Sequence, residues 1–126
     1  MDMQITEMAK HIERGKAGEA LGRRYLEKKG YSVLFCNWRS GHYEIDIIAS
    51  KNDKIHFIEV KTRYSIKFGY PEESVTNKKF YYLKNAAAIF LGQFKEVKMI
   101  QFDILSISII YGKEIEYYFI EDVYLY

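Results

Sequence analysis

The stretch Glu44 to Lys61, EIDIIASKNDKIHFIEVK, places four charged residues in an apolar background. Glu44, Asp46, Glu59 and Lys61 alternate with Ile45, Ile47, Ile48, Ile55, Phe57, Ile58 and Val60. Charged groups among residues that favour burial need ionic partners, a metal ion or a chemical task. Ser50-Lys51-Asn52-Asp53-Lys54 has hairpin-turn chemistry. A two-residue loop at Asn52-Asp53 sets Lys51 opposite Lys54, Asp46 opposite Glu59 and Glu44 opposite Lys61. Strand alternation then gathers all four charged groups on one face.

Directly opposed strand residues have Cβ atoms about 5 Å apart, so two facing carboxylates repel and one pKa rises. A divalent cation removes the repulsion. Hard oxygen ligands from Asp46 and Glu59 suit Mg²⁺ or Mn²⁺, with water completing the shell. Lys61, two residues beyond Glu59, is placed to orient an attacking water or to balance charge in the transition state. That chemistry is metal-assisted hydrolysis of a phosphodiester. The plainer alternative is an ion-paired hairpin, with Glu44 on Lys61 and Asp46 in solvent. A one-residue slip in register would send the carboxylates to opposite faces.

The rest of the chain must hold this hairpin. Residues 5 to 29 have helical character, with Ile5, Met8, Ile12 and Leu26 in one stripe. Glu19 falls in the same stripe, an odd place for a carboxylate. Gly15 and Gly18 favour a start near Lys16, which would make Ala17, Ala20 and Leu21 the core face. Gly30 is a stop signal. Tyr31 to Trp38 reads as a strand, followed by the hairpin strands at about 43–50 and 54–61. Thr62 to Pro71 reads as a loop, and residues 75 to 91 as a helix with Phe80, Leu83, Ala87, Phe90 and Leu91 inward. Val97 to Tyr111 is expected as one long strand, Gly112-Lys113 as a tight turn and Glu114 to Ile120 as its returning partner. The order α-β-β-β-α-β-β describes an α/β fold with a mixed sheet. Residues 1–126 read as a single domain, with 1–14 as an N-terminal extension.

A chain of 126 residues can bury a core without disulfides or structural zinc, and a net charge of +2 permits a nucleic-acid partner without requiring one. Cys36 is the sole cysteine, which rules out an internal disulfide; it is expected as a small buried strand residue. No signal peptide or membrane span is legible, so the expected location is the cytoplasm. His11, His42 and His56 lack the spacing of a metal cluster, and only His42, just before the charged hairpin, merits a functional test. Arg39, Lys61, Arg63, Lys67, Lys78 and Lys79, with Tyr64, Phe68 and Tyr70, could form a nucleic-acid surface, or an ordinary solvated face. The tyrosine-rich C-terminal strands could pair between two subunits as a homodimer.

Asp46 followed by Glu59-Val60-Lys61 resembles the D…(E/D)-x-K motif of the PD-(D/E)XK nuclease superfamily, with Ile45 in place of the eponymous proline. The flanks extend the likeness. Gly18-Glu19-Ala20-Leu21, Tyr25-Leu26, Gly30-Tyr31, Asn37-x-Arg39, Glu44-Ile45-Asp46, Glu59-Val60-Lys61-Thr62-Arg63, Gly69, Val75 with Lys79, and Phe102-Asp103 resemble the YraN-like family of predicted endonucleases. Archaeal Holliday junction resolvases look similar around the first helix and the hairpin. Tyr43 and Gln101 stand where the family usually has glycine and arginine.

The resemblance implies a restriction endonuclease-like fold, an αβββαβ core plus a C-terminal strand. It implies Asp46, Glu59 and the Val60 carbonyl as ligands of Mg²⁺ or Mn²⁺. Lys61 would be the catalytic lysine and Glu19 a carboxylate joining the site from the first helix. Arg39, Arg63, Tyr64 and Lys79 would contact nucleic acid. The expected activity is metal-dependent endonucleolytic cleavage, on DNA ahead of RNA and including branched or single-stranded forms. The alternative is a non-catalytic nucleic-acid-binding module within a partner complex.

Overall fold

The computed structural model describes residues 17–64, 77–93 and 99–123. Helix α1 covers residues 17–28. Strands β1 (Ser32–Ser40), β2 (Tyr43–Lys51) and β3 (Lys54–Arg63) follow, then helix α2 (Asn77–Leu91), β4 (Met99–Ser108) and β5 (Glu116–Ile120). The strands form one five-stranded sheet in the order β1-β2-β3-β4-β5. Only the β3–β4 pair is parallel. A parallel pair needs a crossover, and α2 lies within it. This is the expected restriction endonuclease-like arrangement, a mixed sheet with helices flanking it.

Each helix covers its own face of the sheet. On one side Ala86, Ala87 and Phe90 of α2 pack on Trp38, Ile45, Ile48, Ile55 and Phe57. On the other, Leu26 of α1 joins Tyr31, Ile47, Ala49, Ile58, Leu105 and Ile107. The inner strands are buried on both faces, which explains their near-continuous apolar runs. Ala86 replaces Leu83 among the fully buried residues of α2, since Leu83 is only half-buried.

The β2–β3 turn forms as its residues predict. Asn52 and Asp53 have φ of 52° and 61°, the backbone of a type I′ turn, and Lys51 pairs with Lys54. β3 runs on through Thr62 and Arg63, where a loop was expected, because β4 pairs with it along its whole length. β4 stops at Ser108 rather than Tyr111. Ser108 already pairs with Glu116, so residues 109–115 form a wider connection, tightened by Lys113 N–H donating to Ile110 O at 3.0 Å.

Three expectations about individual residues are corrected. Ala17 and Ala20 are exposed; α1 faces the sheet instead through Gly18, Gly22 and Leu26. Side-chain-free positions let the helix backbone approach closely, and a Cβ on Gly18 would run into Thr62 Oγ1. Cys36 is exposed rather than buried, and β1 is an edge strand among the described residues. Ile5, Met8 and Ile12 lie outside the described residues.

Gly18→Ala should therefore cost about 1–3 kcal/mol by overpacking, measured by chemical denaturation. Thr62→Ala in the same chain should recover most of that loss. If Gly18→Ala is neutral, α1 does not sit this close to β3.

Candidate active site

The charged residues collect at the end of the sheet where β2 begins and β3 finishes. The β2–β3 ladder runs from Lys51↔Lys54 to Ile47↔Ile58 in the expected register and goes no further. At the next position Asp46 replaces the main-chain ladder with its side chain: Oδ2 accepts from Val60 N–H at 2.8 Å. Asp46 and Glu59 are thus neighbours across splaying strands, not a closed ladder pair.

Burial pushes the Asp46 carboxyl up to about 6; the Val60 N–H pulls the other way, and the charges of Glu59, Glu44 and Glu19 add to the rise. Three further carboxylates therefore bear on one acid. Asp46 is half-buried, so its expected alternative as a solvent-facing carboxylate does not hold. Nor does the alternative Glu44–Lys61 pair: Glu44 Oε1 lies 3.4 Å from Arg39, while Lys61 Nζ lies 3.2 Å from Glu59 Oε1.

Glu59 has an asymmetric environment. Its Oε1 meets two ammonium groups, Lys61 from its own strand and Lys79 from the first turn of α2. Its Oε2 is buried without a hydrogen-bond partner among the described residues. A buried carboxylate oxygen left unpaired costs about 1–3 kcal/mol or more, so the position favours an additional cation. Burial opposes the charge on Lys61, but the carboxylates of Glu59 and Asp46 outweigh it and hold its pKa above the ordinary value. Burial lowers that of Lys79, and the neighbouring Lys61 adds to the fall against the pull of Glu59.

These donors fit a hard divalent ion. Among the described residues no three His, Cys, Asp or Glu side chains form a ligand cluster. The protein's set would be Asp46 and Glu59, with main-chain oxygen from Val60 and water completing the shell. Glu19 approaches from α1 and influences Asp46 through its charge; its Oε2 accepts from Asn37 Nδ2 at 2.7 Å.

The residues expected to contact nucleic acid divide. Lys79 sits on Glu59. Arg39 is exposed at the end of β1, and Arg63 and Tyr64 stand at the end of β3 near the site. Lys67, Phe68 and Tyr70 lie outside the described residues. Sequence reading missed Tyr82, whose hydroxyl accepts from Glu44 N at 2.8 Å and donates to His42 O at 2.9 Å. Tyr82 follows Lys79 by three residues, so helical spacing put both on one face. His56 lies elsewhere, buried against Asp103 at 2.7 Å.

The sheet order, the helix on each face and the charged edge where β2 and β3 part define the restriction endonuclease-like class of fold. Within it, the chain belongs to uncharacterised protein family UPF0102, whose family model matches residues 18–107. A UPF0102 protein of Syntrophomonas wolfei is 45% identical over 105 residues, spanning 80% of this chain and 89% of the relative. One from Thermodesulfovibrio yellowstonii is 43% identical over 106 residues, 84% of this chain and 92% of the relative. One from Bacteroides thetaiotaomicron is 41% identical over 100 residues, 79% and 83% respectively. The match spans the whole charged edge, from Glu19 to Lys79.

The raised value of Asp46 has a consequence for stability. An acid whose pKa is higher folded than unfolded, where it is about 3.9, binds its proton more tightly in the folded state. It favours folding below the unfolded value, and that contribution is lost as pH rises through about 6. Asp46→Asn should therefore stabilise the metal-free protein by about 3 kcal/mol at pH 8, with the gain fading toward pH 4. Urea titrations across that range provide the measurement.

Proposed function

We propose that this protein is a metal-dependent endonuclease that hydrolyses phosphodiester bonds of nucleic acid, DNA ahead of RNA. The observation that carries the reading is Glu59, whose buried Oε2 has no partner among the described residues while Lys61 holds Oε1, beside an Asp46 fixed by Val60 N–H. Asp46 and Glu59 would hold Mg²⁺ or Mn²⁺. A divalent ion there supplies an acidified water and charge stabilisation for a phosphoryl oxygen. Asp46 is kept in place by its main-chain hydrogen bond, so its orientation is set before any ligand arrives. Lys61 keeps its proton, which suits it to bind the scissile phosphate or orient the attacking water. Arg39, Arg63 and Tyr64 border this edge and would hold the flanking strand by phosphate contact and base stacking. The lone Cys36 thiol suits a reducing, cytoplasmic compartment.

A second reading has its own observation. Two lysines already neutralise Glu59, as suits a nucleic-acid-binding module that does not cut.

The purified protein should cleave single-stranded, duplex or branched DNA in Mn²⁺ or Mg²⁺. Asp46→Ala and Lys61→Ala should each reduce the rate at least about 100-fold while the fold is retained by circular dichroism. Failure to cleave any of these substrates, or RNA, overturns the enzyme reading. Salt-dependent binding without cleavage selects the binding module.

A further inference from the structure

β1 is irregular at two places, a register shift between Val33 and Phe35 and the backbone of Asn37. Asn37 has φ of 53°, in the left-handed region, within an otherwise extended strand. The β1–β2 ladder pairs Cys36 with Ile47 and Trp38 with Ile45 but passes over the position between them, Asn37 opposite Asp46. Side-chain alternation slips there in both strands. Phe35 and Trp38, three residues apart, both meet Phe90 of α2. Ile45 and Ile48 likewise share the α2 side, while Ile47 faces α1. Asparagine tolerates this backbone better than most residues, yet a strand does not adopt it without cause.

The consequence is visible in the side chain. Asn37 Nδ2 donates to Glu19 Oε2 at 2.7 Å across 18 residues of sequence. Glu19 follows Gly18, the residue that lets α1 rest on Thr62. A glutamate has three rotatable bonds, and on a helix surface it would otherwise point into solvent. Asn37 adjoins Asp46 through the strand and holds Glu19 through its amide, so it spans the two elements that bring carboxylates to the site. An amide donor holds the Glu19 carboxylate without neutralising it.

We propose that Asn37 is a positioning residue, which aims Glu19 at the Asp46–Glu59 edge through the Nδ2–Oε2 hydrogen bond. It touches neither metal nor substrate. The proposal rests on the metal-site reading above and deepens it by assigning what orients the helix carboxylate.

Asn37→Gly keeps the left-handed backbone and removes only the amide; Asn37→Asp keeps the backbone tolerance and sets a carboxylate against Glu19. Both should raise the Mn²⁺ concentration at half-maximal thermal stabilisation by about 10-fold or more, the usual effect of losing an outer-shell partner of a metal site. Glu19→Ala should cost a similar factor, and Glu19→Ala added to Asn37→Gly should cost little more. Retention of the wild-type Mn²⁺ midpoint by Asn37→Gly overturns the proposal, as does full additivity of the two changes. In metal-free protein, the Asn37 side-chain amide resonances should move in Glu19→Ala; no movement also overturns it. Absence of any Mn²⁺ stabilisation in the wild type defeats the metal-site reading instead, and the amide resonances then decide by themselves whether Asn37 holds Glu19.

Discussion

The hydrogen bond from Val60 N–H to Asp46 Oδ2 is the contact on which the charged edge depends. Where the β2–β3 ladder ends, main-chain donors need new partners, because an unpaired buried amide is costly. Asp46 supplies one from its side chain and is fixed by doing so. The strands can then part without orphaning Val60, and the opening holds Glu59 and Lys61. The strand separation and the carboxylate's orientation have one cause.

Charge is arranged around that opening with deliberate imbalance. Asp46 feels Glu59, Glu44 and Glu19, and burial removes the water that would screen them. Lys61 and Lys79 answer only one oxygen of Glu59. The opposite end of the sheet shows what a completed network looks like. There Asp103 accepts from Gln101 Nε2 and Asp122 N–H, each at 2.8 Å, and its other oxygen lies 2.7 Å from His56. Lys54 reaches Gln101, and the Tyr31 ring packs edge-on against His56. That cluster is closed and ties Asp122, just beyond β5, to β4. Gln101 belongs to this structural end and not to the charged edge.

The helices position the edge by contrasting means. α1 approaches through Gly18 and Gly22, so its backbone lies near β3 and Glu19 arrives close to the strands. α2 packs through Ala86, Ala87 and Phe90, and its first turn extends past the core to deliver Lys79 and, one turn on, Tyr82. Small residues set the distance of one helix; an aromatic anchor sets that of the other.

Much of this was legible from residue types alone. Asn52-Asp53 specified a two-residue turn, and that turn specified the register of β2 against β3, because a hairpin's loop dictates its pairing. Buried charges in apolar strands marked the edge where the charged groups collect, and flanking motifs indicated the fold. Three things required the tertiary structure. The register could not reveal that the ladder would end at Ile47 and hand Val60 N–H to Asp46, since strand splaying depends on what packs above and below. Helical spacing could not tell that Ala17 and Ala20 face solvent while glycines face the sheet, because the closeness of α1 is set by Thr62, distant in sequence. Nor could it place Lys79 on Glu59 or Asn37 on Glu19. Local sequence determines the turns and periodicities, which are short-range properties of the backbone. The pairing of side chains from separate elements is decided only when the two cores close and bring those elements together.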